Sequence, residues 1–259
     1  MPEPQGRTLP LSLPRRLIGD LVHFARRVPS VPVQRRVNVG RVRVLREQAD
    51  PRPSWCAIFT KAYATVAAAC PALRRAYLGW PWPRLYEHPH SVASVAIERR
   101  YRGEDAVFFA HLRAPEAQSL ADLDAHLRRF KDAPIESIGL FRRALAVSRL
   151  PRPLRRLLWW IGLNSSGRKR ARRMGTFGVS VYSGLGAESL HPLSPLTTTL
   201  NYGVLRADGS VDVRIIDDHR VLDGATVARA LALLEDVLNG AIAAELRALG
   251  RGGDTEHAA

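Results

Sequence analysis

Thr197 to Leu205 and Val211 to Ile216 are two β-type runs joined across Ala207-Asp208-Gly209-Ser210, and Asp-Gly between such runs is a strong hairpin signal. The second run is followed, after Asp217 to Gly224, by a helical pattern with Val227, Ala228, Leu231, Leu234 and Leu238 on one face and Asn239-Gly240 as its stop. An antiparallel pair feeding directly into a helix points to an α+β, mixed-sheet domain.

The upstream sequence extends this pattern. Ser54 precedes apolar positions at Trp55, Ile58, Phe59, Ala62, Val66, Ala69 and Cys70, the spacing of an amphipathic helix of about four turns that Pro71 stops. Ser91 to Glu98 and Asp105 to Leu112 read as a strand pair around the Tyr101-Arg102-Gly103-Glu104 turn. Ser119 can cap a further helix, with Asp122 as the capping-box acid and Leu120, Leu123, Leu127 and Phe130 as its buried stripe. Thr176 to Tyr182 reads as another strand.

Charge is distributed unevenly along these elements. Of 39 basic residues only Lys61, Lys131 and Lys169 are lysines, and against 24 acids they leave a net charge of +15. Residues 1–46 carry +8 and residues 142–173 carry +11, so the rest of the chain is slightly acidic. A uniformly basic surface would point to nucleic acid, whereas two arginine-rich stretches on an acidic body point to local anion contacts or partner surfaces. The 142–173 stretch alternates arginine pairs with Leu, Trp and Pro through Leu157-Leu158-Trp159-Trp160-Ile161. It reads either as an arginine-faced surface helix and loop packed on the body, or as a docking element for a membrane surface or an acidic protein partner.

Cys56 and Cys70 stand about 21 Å apart if both lie on the helix after Ser54, beyond disulfide reach, which favours a reducing, cytoplasmic setting. No apolar run has the length of a bilayer span. His88-Pro89-His90 lacks a companion cluster at ligand spacing, so a loop contact is expected there and no metal. His191, between Leu190 and Pro192, can line a pocket or pack a turn.

His219 lies in the turn between the last strand and the helix, with Asp223 four residues on at the helix N-cap. An imidazole and a carboxylate at that spacing offer a proton acceptor and a group to order it, though the same pair also serves as a solvated histidine and a simple cap.

Asp218-His219-Arg220-Val221-Leu222-Asp223-Gly224 resembles the D-H-R-x-x-D-G signature of the acyltransferase components of 2-oxoacid dehydrogenase complexes, whose shorter H-x-x-x-D-G form is shared with chloramphenicol acetyltransferase. Gly175-Thr176-Phe177-Gly178-Val179-Ser180 is similar to a strand of the same family, and Phe59-Thr60-Lys61-Ala62 with Pro71-Ala72-Leu73 is similar to one of its helices. The likeness covers roughly residues 15–245.

The resemblance implies a chloramphenicol acetyltransferase-like mixed β-sheet flanked by helices, and CoA-dependent acyl transfer to a thiol or hydroxyl of an unidentified acceptor. By position His219 becomes the general base, Ser180 the hydroxyl that stabilises the tetrahedral oxyanion, and Asp223 the ordering carboxylate. Ser183 remains a rival oxyanion donor, because Ser180-Val181-Tyr182-Ser183-Gly184 departs from the family's run at this point. The resemblance also implies a homotrimer, or an assembly of trimers, in which His219 and Ser180 meet across chains.

A single catalytic domain is expected over 15–250, with 142–174 as a basic insertion and tails at 1–14 and 251–259. The length leaves no room for lipoyl and subunit-binding domains, and none of the three lysines sits in a lipoyl-attachment context, so a stand-alone enzyme is expected. The competing expectation is a non-catalytic trimeric scaffold that binds an acidic partner or a membrane through 142–173.

Overall fold

A computed structural model describes residues 6–256. Ser12 caps α1 (Leu13–Ala25), its Oγ accepting from the Arg15 N–H. β1 (Ser30–Asn38) and α2 (Gly40–Gln48) follow. Ser54 caps α3 (Trp55–Ala69) as its sequence predicts, and the 3-10 turn Pro71–Arg74 ends it. β2 (Arg75–Leu78) and β3 (Arg84–Glu87) pair with each other alone. β4 (Val92–Tyr101) and β5 (Glu104–Arg113) form the expected hairpin, connected by Arg102 and Gly103, both at positive φ. α4 (Leu120–Asp132) opens on a capping box: Ser119 Oγ accepts from Asp122 N–H and donates to the Asp122 carboxylate.

The arginine-rich stretch forms α5 (Gly139–Arg149), α6 (Arg152–Asn164) and α7 (Gly167–Met174). Then come β6 (Phe177–Val179), β7 (Thr198–Tyr202), β8 (Ser210–Asp218), α8 (Gly224–Val237) and α9 (Ala243–Glu256). The main sheet runs β1-β8-β7-β6-β4-β5, with β4, β6 and β7 parallel to one another and the remaining pairs antiparallel. The Asp-Gly hairpin joins β7 and β8, Gly209 taking φ +80° and the Asp208 carboxylate accepting from Ser210 N–H.

Alternation divides the sheet into two faces. Ala93, Val95, Ile97, Phe177, Val179, Leu200, Val213 and Ile215 pack against α3, α4 and α8 in the main core. Ser94, Ala96, Val107, Phe109, Gly178 and Thr199 face the other way, toward α1, α5, α6 and α7. The mixed sheet flanked by helices is the architecture the sequence predicted.

Several local readings are corrected. β6 is three residues, not seven, because after Val179 the Ser180 carbonyl is taken by the Asn201 side chain and the backbone leaves the sheet for a 3-10 turn at Ser183–Leu185. β7 stops at Tyr202, where the Glu188 carboxylate takes the Val204 N–H. Asn239-Gly240 does not end the last helix. Asn239 Nδ2 bonds the Glu235 and Asn38 carbonyls, and the chain passes through a π-turn, Leu238–Ile242, into α9. On α8 it is Ala230, not Ala228, that is buried. α1 begins at Leu13 and α9 reaches Glu256, and the outermost residues of the expected tails 1–14 and 251–259 lie outside the described ones. No helix among the described residues is long and apolar enough to cross a membrane.

Candidate active site

The turn after β8 is held rigidly. Asp218 is buried, and its carboxylate accepts from Arg220 N–H, Nε (2.9 Å) and Nη2 (2.7 Å), while the Arg220 guanidinium lies 4.3 Å over the Tyr77 ring. Val221 and Leu222 N–H both bond the Asp218 carbonyl, and His219 N–H bonds the Pro29 carbonyl. His219 is thereby presented at the surface with its backbone fixed. Its Nδ1 lies 3.1 Å from the Leu222 carbonyl, an acceptor only, so Nδ1 donates there and in the neutral imidazole Nε2 is the nitrogen with the lone pair.

Asp223 occupies the N-cap of α8 with extended backbone, but its side chain makes no cap hydrogen bond and is exposed. Two buried carboxylates precede His219, Asp218, which Arg220 holds, and Asp217. Neither oxygen of Asp217 has a hydrogen-bond partner among the described residues, and burial pushes its pKa up to about 6 against the pull of His219. Its position on the core face of β8, beside the Tyr63–Thr198 pair, follows from strand register and was invisible in the motif.

Ser180 lies one residue beyond Val179 on the face opposite the main core and lines a large cavity there. Its carbonyl accepts from Asn201 Nδ2 (2.5 Å), and Asn201 Oδ1 accepts from Arg214, which also reaches Glu188 (3.0 Å) and Gln34 (2.5 Å). Tyr182 lines the same cavity, whereas Ser183 is not on its lining, and Tyr202 stacks on Phe59 on the main-core side. Gly175, which starts this motif, takes φ +91°, and a Cβ there would stand 2.9 Å from Ser94 Cβ.

One chain does not bring Ser180 and His219 together. Ser180 is level with Asn201 on β7, while His219 lies two residues past Asp217, the partner of Thr198. That register leaves them about five residue positions apart along the strand direction, roughly 16 Å at 3.3 Å per residue.

No family model matches the chain, and no curated protein matches it in sequence. Solved structures do match. A probable dihydrolipoamide acetyltransferase from Listeria monocytogenes superposes with a TM-score of 0.64 at 17% identity, over 90% of this chain and 94% of that one. The dihydrolipoamide acetyltransferase of Azotobacter vinelandii gives 0.66 at 16% identity, over 93% and 94%. In that enzyme a serine, a histidine and an asparagine four residues after the histidine were investigated for roles in the catalytic mechanism. A chloramphenicol acetyltransferase gives 0.50 at 16% identity, over 86% and 94%. This chain has the dihydrolipoamide acetyltransferase core fold.

The other sequence candidates have structural surroundings of their own. His88 is buried against Tyr86, and burial holds its pKa down at about 4, while His90 is exposed. No three His, Cys, Asp or Glu gather at metal-binding distance among the described residues. His191 Nε2 meets Ser30 Oγ at 2.8 Å and ties the loop before β7 to β1. The Lys61 amine bonds the Gln118 carbonyl (2.6 Å) and Glu245 (2.5 Å).

Proposed function

We propose that this chain is a stand-alone CoA-dependent acyltransferase in which His219 is the general base. The observation that carries the reading is the contact of His219 Nδ1 with the Leu222 carbonyl, which in the neutral imidazole leaves Nε2 as the proton acceptor. Nε2 takes the proton of the acceptor hydroxyl or thiol as that oxygen or sulfur bonds to the thioester carbon. The Ser180 hydroxyl donates to the resulting oxyanion. Collapse breaks the C–S bond to CoA, and the imidazolium returns the proton to the leaving thiolate. Protons and electrons balance without any further reactant.

The separation of Ser180 from His219 supports a homotrimer, with Ser180 of one subunit facing His219 of the next. Asp223, four residues after His219 as the asparagine is in the Azotobacter enzyme, is assigned the ordering role. Acyl-CoA is a co-substrate here, and no metal and no lipoyl group on this chain are invoked. The free Cys56 and Cys70 fit a reducing cytoplasmic setting. The test is CoA release over a panel of acyl-CoA donors and thiol or hydroxyl acceptors. His219→Ala is expected to lower turnover by about 10²–10⁴-fold. Absence of His219-dependent turnover with every donor would overturn the assignment.

A second reading rests on α6, whose Leu154, Leu157 and Leu158 are exposed among arginines, as an element docking on an anionic membrane surface. Co-sedimentation with phosphatidylserine vesicles, abolished by Leu154→Asp and Leu157→Asp together, is its expected signature. Cell function that survives His219→Ala but not those two changes would favour it over catalysis.

A further inference from the structure

The sheet face away from the main core is not packed solid. Between it and α1, α5, α6 and α7 lies a cavity of about 800 Å³, within the size range of sites that bury a small organic ligand. It opens to solvent, and at more than twenty times the ~30 Å³ a water occupies in the liquid it has room for an organic molecule whose apolar surface would leave water on entering it.

The walls are hydrocarbon, with Leu17, Ile18 and Leu21 from α1, Val147 from α5, and Val107 and Phe109 from β5. The one histidine on the lining, His111, is held neutral at physiological pH by burial, its pKa near 4. The charged side chains on the lining are Arg15, Arg143, Arg172 and Arg173, and no carboxylate is among them. From Phe109 on β5 the hollow crosses Ala96 on β4 and Ser180 after β6 to Thr199 on β7. Three strand spacings of about 4.8 Å make that roughly 14 Å. Predominantly apolar walls along this length, arginines without acids, and the hydroxyls of Ser94, Ser180, Ser194 and Thr199 describe an amphiphile: a hydrocarbon tail with an anionic head.

We propose that this cavity binds the unbranched aliphatic chain of a medium- or long-chain acyl donor, with its anionic head met by the arginines. In the transferase proposed above the thioester carbonyl lies at Ser180 and the chain runs inward beneath α1. That placement rests on the acyl-transfer reading, whereas binding of the chain does not. An acetyl group would occupy a small corner of this volume, so donors with long chains are the expected substrates.

Fluorescence titration with cis-parinarate, an eighteen-carbon polyene fatty acid, measures chain binding without chemistry. Saturable binding is expected for the wild type and, unchanged, for His219→Ala. Ala96→Phe and Ala144→Phe fill the hollow from opposite walls and should each weaken binding at least about tenfold, since every methylene denied burial costs several-fold. Melting temperatures at or above wild type verify that these variants fold, because a side chain growing into open space does not overpack.

Palmitate and palmitoyl-CoA should displace the probe and acetyl-CoA should not. Palmitoyl-CoA acting alone assigns the arginines to phosphates, and palmitate acting alone assigns them to a carboxylate. No saturable parinarate binding, undiminished binding in both filled variants, or displacement by neither palmitoyl compound overturns the proposal. Parinarate binding without His219-dependent turnover leaves it standing while the acyl-transfer reading fails. Turnover without parinarate binding does the reverse.

Discussion

Ser180 and Ser183 are three residues apart and chemically identical, yet their surroundings differ. Ser180 lines the cavity and its carbonyl is held by Asn201, whereas Ser183 is not on the lining. Ser180→Ala is expected to slow CoA release by about 10²–10³-fold, as for loss of one oxyanion donor, while Ser183→Ala stays close to wild type. Asn201→Ala acts through the backbone of Ser180. It should lower kcat with little change in KM, and Asn201→Asp should not restore it, because a carboxylate has no N–H for the Ser180 carbonyl. Asp217 yields a prediction about pH. Its folded pKa of about 6 lies above its ordinary 3.8, so stability is unaffected below about pH 4, falls as pH rises toward 6, and stays reduced above that. Asp217→Asn should therefore stabilise the fold by about 1–2 kcal/mol at pH 8 and by almost nothing at pH 4, read from melting temperatures at the two values. His219 was legible in the sequence because its turn is local, Asp218 to Leu222 bonding within five residues. Asn201, Arg214 and Asp217 were not, since their roles arise from register between strands that lie far apart in the chain.

Among the elements, the arginine-rich helices depart most from what their composition promises. A run of arginines reads as a solvated face, and much of it is: Arg152, Arg168 and Arg173 are exposed. Arg155 is buried, however, and grips Asp20 of α1 through Nε (2.6 Å) and Nη2 (3.4 Å). Arg170 is buried as well and gathers the carbonyls of Tyr77, Leu163 and Pro195, joining β2, α6 and the loop before β7. Burial lowers its pKa to about 10, which still leaves it charged. The α5–α7 segment is thus pinned at α1 and beside the His219 turn, where Arg220 stacks on Tyr77. Asp20→Ala strands a buried guanidinium and should cost about 3–5 kcal/mol in chemical denaturation, whereas Arg168→Ala, at the exposed start of α7, should change stability by less than about 0.5 kcal/mol. The helix starts at Ser54 and Ser119 were readable because an N-cap is a local device. The stop at Asn239-Gly240 failed because Asn239 spends its amide on Asn38, two hundred residues away, and holds the helical path.

At the scale of the whole molecule, the order β1-β8-β7-β6-β4-β5 carries the functional argument. The α+β class followed from one hairpin and the helices around it, but the sequence could not place the parallel β6 between β4 and β7. That placement sets Ser180 about five positions from His219 along the sheet. In the proposed mechanism, then, His219 of one subunit works with Ser180 of the next. Mixing the His219→Ala and Ser180→Ala proteins under conditions that exchange subunits tests this most directly, with CoA release as the readout. Each variant alone should be nearly inactive, and the equimolar mixture should recover up to about a quarter of wild-type turnover, because some interfaces then pair an intact His219 with an intact Ser180. A mixture with verified subunit exchange that remains as inactive as its components would contradict the account.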